Sequence, residues 1–198
     1  MISSRYSLLL VLMISLVWIS SCKENNTPKP RGYFRVDFPE KEYTQSDSTL
    51  PYLFEMPVYS YIQKDIKNSE NENWVNLQFP KLNATLHLSY KPVDNNLHLY
   101  TEDSHEMVYK HSGKADAIIP TEWRNEKNNV YGILYQIEGN AASTIQFYLT
   151  DSVNHFVRGS FYFNVHPNKD SLAPAQEFIK ADIDRMIETF RWNPAGSP

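Results

Sequence analysis

Apolar side chains recur along this chain in three rhythms: one unbroken run, several alternations by two, and two stripes by three and four. The unbroken run comes first, from Leu8 to Cys22, behind a single basic residue at Arg5. Its strongly apolar part is about 12 residues, shorter than the ~20 that cross a bilayer as a helix. Two small serines then precede the only cysteine in the chain. This pattern predicts a secretory signal over residues 1–21, with Ile19-Ser20-Ser21-Cys22 fitting a bacterial lipobox. Cys22 is then the expected lipidation site, because only its thiol can carry a diacylglyceryl thioether. Two or three acyl chains, palmitate among them, hold firmly at ~0.8 kcal/mol per buried CH₂.

A polar, proline-bearing stretch follows through Arg31, so residues 22–31 are expected to be an extended tether and residues 32–193 a single globular domain. Period-two alternation starts there. Phe34, Val36 and Phe38 fall on one side and Tyr33, Arg35 and Asp37 on the other, until Pro39 stops the run. Tyr52, Phe54 and Met56 repeat the pattern before Pro57. Trp74 to Phe79 and Ala84 to Tyr90 read as a hairpin turning through Pro80–Asn83, after a polar loop from Asp65 to Asn73. From Leu97 to about Ser112 the period becomes helical, with Leu97, Tyr100, Ser104, Met107, Val108 and His111 on one face and Asn95-Asn96 as caps. Strands are expected over Val130–Glu138, Ser143–Thr150 and His155–Val165, a meander with one buried face and one tyrosine-rich face. A helix with the stripe Ala175, Phe178, Ile179, Asp182/Ile183, Met186, Ile187 and Phe190 closes the chain. Asp170-Ser171 are its expected cap, Pro174 sits in its first turn, and Arg191-Trp192-Asn193-Pro194 ends it.

Strand pairs, a helix, a meander and a second helix predict an α+β fold, a single antiparallel β-sheet packed with helices. The ending Met-Ile-Glu-Thr-Phe-Arg-Trp after a meander resembles the Mog1/PsbP-like α/β/α sandwich. That likeness concerns fold and says little about function.

Composition narrows the function. Without residues 1–21 the chain carries 18 Lys+Arg against 23 Asp+Glu, a formal charge of −5. No basic run exceeds two residues, so nucleic acid is not an expected partner. The same charge disfavours electrostatic attachment to anionic lipid and leaves the acyl chains as the membrane contact. With Cys22 acylated the domain has no thiol, hence no disulfide, no cysteine nucleophile and no cysteine-based zinc site. Burial must hold it together, and 13 Tyr, 10 Phe and 4 Trp supply the area.

Candidate chemistry is thin. His98, Glu102 and His105 lie at i, i+4 and i+7 on the first helix, suitable in kind for zinc or iron. A carboxylate-bridged bundle site needs a second Glu-x-x-His, which the chain lacks, and a charged outer helix face explains the trio. His155 and Arg158 near Asp151-Ser152 suggest a hydrolytic arrangement, but no Gly-x-Ser-x-Gly elbow is present. In a strand those two side chains also project to opposite faces. Glu102 and Asp103 diverge on a helix and cannot flank a glycosidic bond. His87 and His111 read as packing histidines. Neither an enzyme nor a cofactor or metal is expected.

Five stretches carry a family resemblance: Arg31–Pro39, Asn83–Lys91, Tyr109–His111, Gly139–Ser143 and Thr150–Gly159. Together they resemble the gliding motility lipoprotein GldD family of the Bacteroidota, from about Gly32 to Trp192. The resemblance implies a non-enzymatic, lipid-anchored protein of the cell envelope, required for gliding and affecting the linked type IX secretion machinery. It brings no catalytic residues. Its partners would be other gliding and secretion proteins, in a domain facing the periplasm. Lys23 after the cysteine, in place of a retention aspartate, favours the outer membrane. The expected partner-binding residues are the aromatics Tyr33, Phe34, Tyr59, Tyr148 and Tyr162. A rival reading has the tyrosine-rich sheet face bind a small molecule or glycan. Asp47-Ser48-Thr49, Asp151-Ser152-Val153 and Asp170-Ser171-Leu172 also match the short O-glycosylation pattern of that phylum.

Overall fold

Seven strands hydrogen-bond into one antiparallel sheet. The computed structural model describes residues 37–64 and 73–194. The expected signal segment, Cys22, the expected tether, Tyr33, Phe34 and most of the polar loop from Asp65 lie outside the described residues. The sheet strands are β4 (Tyr61–Lys64), β5 (Val75–Phe79), β6 (Ala84–Pro92), β7 (Ala115–Asn125), β8 (Val130–Gly139), β9 (Ser143–Thr150) and β10 (His155–Phe163). Their order is β4-β5-β6-β10-β9-β8-β7. Two short pairs stand outside it: β1 (Tyr43–Gln45) with β3 (Glu55–Pro57), and β2 (Tyr52–Leu53) with β11 (Arg191–Trp192). Among the described residues two α-helices complete the fold, α1 (Leu97–Tyr109) and α2 (Lys169–Thr189). The class is α+β, as the alternation and the two stripes predict.

Strand order dictates where the helices lie. β6 neighbours β10, so the chain leaving β6 must pass over β10, β9 and β8 to start β7 at the far edge. α1 makes that crossing on one face and packs on β9 and β10. The meander β7-β8-β9-β10 then returns to β6, and α2 covers the opposite face.

Each sheet face has its own apolar cluster. The larger sits under α2, where Ile179, Ile183, Met186 and Ile187 meet Val75, Leu77, Leu86, Leu88, Phe147, Leu149, Val157 and Phe161. Period-two alternation puts these strand residues on one side. At one end of this cluster Tyr52, Phe54 and Phe190 are fully buried, with Tyr52 and Phe190 stacked at 5.6 Å between ring centroids. The smaller cluster joins Val108 of α1 to Tyr135, Ile137 and Ala141. Gly159 sits where only a glycine fits, since a Cβ there would lie 2.1 Å from the Phe147 ring.

Several local expectations change. The strand β7 has no apolar alternation to reveal it, because it is the sheet edge and largely solvated on both faces. Pro120 inside it is tolerated for the same reason. Asn168, not Asp170-Ser171, caps α2: its Oδ1 accepts from the Ser171 N–H at 3.1 Å. The helix therefore begins at Lys169, and Pro174 lies inside it, beyond the first turn. Asn96 precedes α1 without a side-chain cap bond, its amide donating to Tyr100 Oη at 3.1 Å instead. Arg191-Trp192 does more than end α2, because it pairs with β2 and Asn193 donates to the Ser48 and Leu50 carbonyls, both at 2.8 Å.

Candidate functional site

The chain approaches the domain along α2. Phe38 stacks on Phe178 at 4.4 Å with the rings 10° apart, and the Lys41 ammonium lies 3.5 Å from the centre of the same ring. One turn along the helix, Asp182 is only 1% exposed although it sits in the apolar stripe. Three donors converge on it: Lys41 Nζ at 2.6 Å, Tyr43 Oη at 2.9 Å and Tyr59 Oη at 2.5 Å. A buried carboxylate is tolerated only when paired and hydrogen-bonded, and this one is both. Burial first, then the bond to Asp182, pushes the Tyr43 phenol up to about 12. The same causes in the same order raise Tyr59. This cluster fixes the first described segment to the last helix. A carboxylate at a core position in the stripe, with lysine and tyrosines upstream, was the signal available in the sequence.

Tyr59 is thereby part of the α2 side, half-buried against the larger core. Tyr148 and Tyr162 project from the opposite face of the sheet. Tyr148 stacks on Phe156 at 5.6 Å and belongs to the α1 side, and burial, then Glu122, raises its phenol. Tyr162 meets the His87 ring edge-on at 5.7 Å. The structure therefore brings Tyr148 and Tyr162 to one face and does not bring Tyr59 to them.

Beyond α1 that face is open and polar. Gln63 accepts from Gln78 at 3.1 Å, Gln78 from Thr85 at 2.8 Å, and Thr85 from Asn164 at 3.1 Å. His87 Nδ1 lies 2.6 Å from Asn76 Oδ1. Further across, Arg158 Nη2 donates to Gln146 Oε1 at 2.7 Å.

His98, Glu102 and His105 are exposed along α1, with His105 against Tyr109 at 4.3 Å. Among the described residues no group of three or more His, Cys, Asp and Glu is placed to hold a metal ion. His155 and Arg158 diverge: His155 stacks on Trp192 at 4.9 Å and bonds Tyr90 Oη at 2.9 Å on the α2 side, whereas Arg158 faces the other way. Asp151 Oδ1 accepts from the backbone N–H groups of Val153, Asn154 and His155 at 3.0, 2.8 and 2.8 Å, the role of a turn residue. Ser48, Ser152 and Ser171 are exposed. Among the described residues no helix is long and apolar enough to cross a membrane.

A structural relative supports this layout. The solution structure of cyanobacterial PsbP (CyanoP) from Synechocystis sp. PCC 6803 aligns with a TM-score of 0.50 at 11% identity, covering 80% of this chain and 97% of that one. At that identity the likeness speaks for the fold alone, and it agrees with the sandwich read from the sequence. No curated protein matches the chain. A family model described as gliding motility lipoprotein GldD matches residues 23–192 of the 198-residue chain. The chain therefore belongs to the gliding motility lipoprotein GldD family.

Proposed function

We propose that this protein is a lipid-anchored accessory of the gliding apparatus and of the type IX secretion machinery linked to it, and that it works by protein contact rather than catalysis. The observation that carries the reading is the family match over residues 23–192. Acylation at Cys22 would fix the domain to a membrane, the outer one favoured by Lys23, and tethering raises its effective concentration near partners there. The domain would face the periplasm. Tyr148 and Tyr162, on the sheet face that carries α1, would be aromatic contacts for a partner, together with Tyr33 and Phe34 earlier in the chain. Tyr59 contributes instead by holding the chain to α2.

The test is surface spreading of a deletion strain complemented with the wild-type gene or with Cys22→Ala. Loss of spreading that only the wild type restores is the expected result. Normal spreading of the deletion strain overturns the motility role, and full rescue by Cys22→Ala overturns the anchored mechanism. Measuring secretion of a type IX cargo in the same strains tests the second linkage.

A further inference from the structure

Three connections at one end of the sheet enclose a cleft of about 710 Å³. They are the loop from α1 into β7, the turn between β8 and β9, and the approach to α2. Hydrogen bonds tie them to one another. The Asn140 N–H donates to the Lys114 carbonyl at 3.2 Å, and Asn140 Oδ1 accepts from the Lys169 N–H at 3.0 Å. Inside the first loop, the Lys114 and Ala115 N–H groups both donate to the His111 carbonyl, at 2.9 and 3.0 Å. Gly139, with φ at 106°, permits the close approach, since a Cβ there would lie 2.6 Å from the Asp116 backbone nitrogen. The cleft is thus shaped by the fold itself, and its size falls in the range of small-molecule sites, roughly 300–1,000 Å³.

Its charge runs against that of the chain. Without residues 1–21 the chain is formally −5, yet Lys110, Lys114 and Lys169 line the cleft against one acid, Asp170. Lys114 has no ion-pair partner among the described residues. Lys110 pairs with Glu106 at 3.1 Å and Lys169 with Asp116 at 2.5 Å, but both pairs are exposed and neither carboxylate lines the cleft. Exposed pairs hold weakly, so an incoming anion can compete for both ammonium groups. His111 and His166 complete the basic wall. Burial, then the Arg158 guanidinium, holds His111 below the ordinary histidine value, so Arg158 adds its field from the sheet behind. α1 ends at this cleft and α2 begins at it. The opposite partial charges of the two helix ends offset each other, and the side chains set the sign.

We propose that this cleft binds a phosphomonoester. Its ammonium groups are compact point charges arriving from separate loops, which suits a tetrahedral dianion. A planar carboxylate is better matched by an arginine fork, and no arginine lines the cleft. Three lysines against one carboxylate leave two positive charges, close to the roughly two negative charges of a phosphomonoester at neutral pH. A bare phosphate would leave most of the cleft to water, whereas the organic part of an ester can lie against Ala142 and Pro167. A soluble sugar phosphate and a phosphate-bearing lipid headgroup share this chemistry, and the test separates them. The proposal is independent of the motility reading and of the lipid anchor.

The test is equilibrium dialysis of the full-length protein, solubilised in a neutral detergent, against radiolabelled glucose 6-phosphate. Saturable binding of one equivalent is expected, with glucose unable to compete and inorganic phosphate competing more weakly than the ester. Short-chain phosphatidic acid is the second competitor. Displacement at a lower concentration than unlabelled glucose 6-phosphate assigns a lipid headgroup, and displacement only at a higher one assigns a soluble phosphate. Lys114→Gln should weaken binding about 10-fold, the low end for hydrogen bonds to a charged group. Lys114 is exposed, so the substitution leaves the core intact. Lys64→Gln, on the opposite edge of the sheet, should leave binding unchanged. Absence of saturable binding overturns the proposal. So does equal weakening by Lys64→Gln, which would show general charge attraction without a site, and so does citrate competing as well as glucose 6-phosphate.

Discussion

Replacing Asp182 tests whether the buried carboxylate holds the start of the domain to α2. Asp182→Ala leaves Tyr43 Oη and Tyr59 Oη facing apolar space and Lys41 without its anion. Removing one partner of a buried ion pair costs ~3–5 kcal/mol. Lys41 retains 30% side-chain exposure and recovers part of its hydration, so the low end, about 3 kcal/mol, applies. For a domain of this size that lowers Tm by roughly 6–12 °C. Asp182→Asn keeps one acceptor oxygen and loses only the charge-assisted part, about 1–2 kcal/mol. Urea unfolding followed by tryptophan fluorescence measures both. Adding Tyr59→Phe to Asp182→Ala should cost less than the sum of the two singles, because the phenol has then already lost its acceptor. An Asp182→Ala protein within ~1 kcal/mol of the wild type would falsify the reasoning, since a paired buried carboxylate cannot be removed that cheaply.

Three further outcomes follow from the same contacts. In the folded state Tyr43 is held up to about 12, and an unfolded tyrosine ionises near ~10. The unfolded chain therefore loses its proton first, and stability, intact below pH ~10, should fall as pH rises towards the folded value. Urea midpoints across that window should decline in the wild type and decline less in Tyr43→Phe. For Asp151, burial acts upward, but backbone N–H bonds from His155, Val153 and Asn154 outweigh it and hold the carboxyl below its ordinary value. Its contribution is thus present above the unfolded value of ~3.9 and is lost as pH falls through the folded one. Asp151→Asn should cost about 1 kcal/mol at neutral pH and nothing once both proteins are acidified below that window. Gly159→Ala drives a methyl into the Phe147 ring and should cost about 1–3 kcal/mol by calorimetry. Combined with Phe147→Leu, the added loss should shrink, because the leucine yields the space; additive losses would contradict the clash.

Where one side of a segment is buried, its pattern was readable before the structure. Val75-Asn76-Leu77-Gln78-Phe79 alternates buried and half-buried positions, and Ile179, Ile183, Met186 and Ile187 lie on the buried side of α2. Both pack on the same core, which imposes the period. β7 escaped because an edge strand solvated on both faces imposes none. The α2 cap was misplaced by two residues because Asn168, Asp170 and Ser171 are all competent caps, and local geometry chooses among them. The aromatic patch was harder still. Tyrosine composition cannot separate Tyr59, whose hydroxyl meets a carboxylate, from Tyr148, whose ring meets Phe156. The donors that meet Asp182 arrive from distant segments of the chain, which no local pattern encodes.

The partly open face is itself a consequence of the topology. The crossing from β6 to β7 spans four strand spacings, about 19 Å at ~4.8 Å each. α1, at 13 residues, is about 20 Å long and just covers that distance. Nothing in the connection places a second helix over β4 and β5. Side chains there must be polar or be covered by something else, and Asn76 and Gln78 alternate there with the core residues Val75, Leu77 and Phe79. The buried α2 face is fixed by packing, and the fold it supports persists in CyanoP at 11% identity. A backbone layout kept at that identity cannot by itself explain a role in gliding. What distinguishes this chain must lie in side chains that packing leaves free to vary, and the α1 face is where the fold provides them.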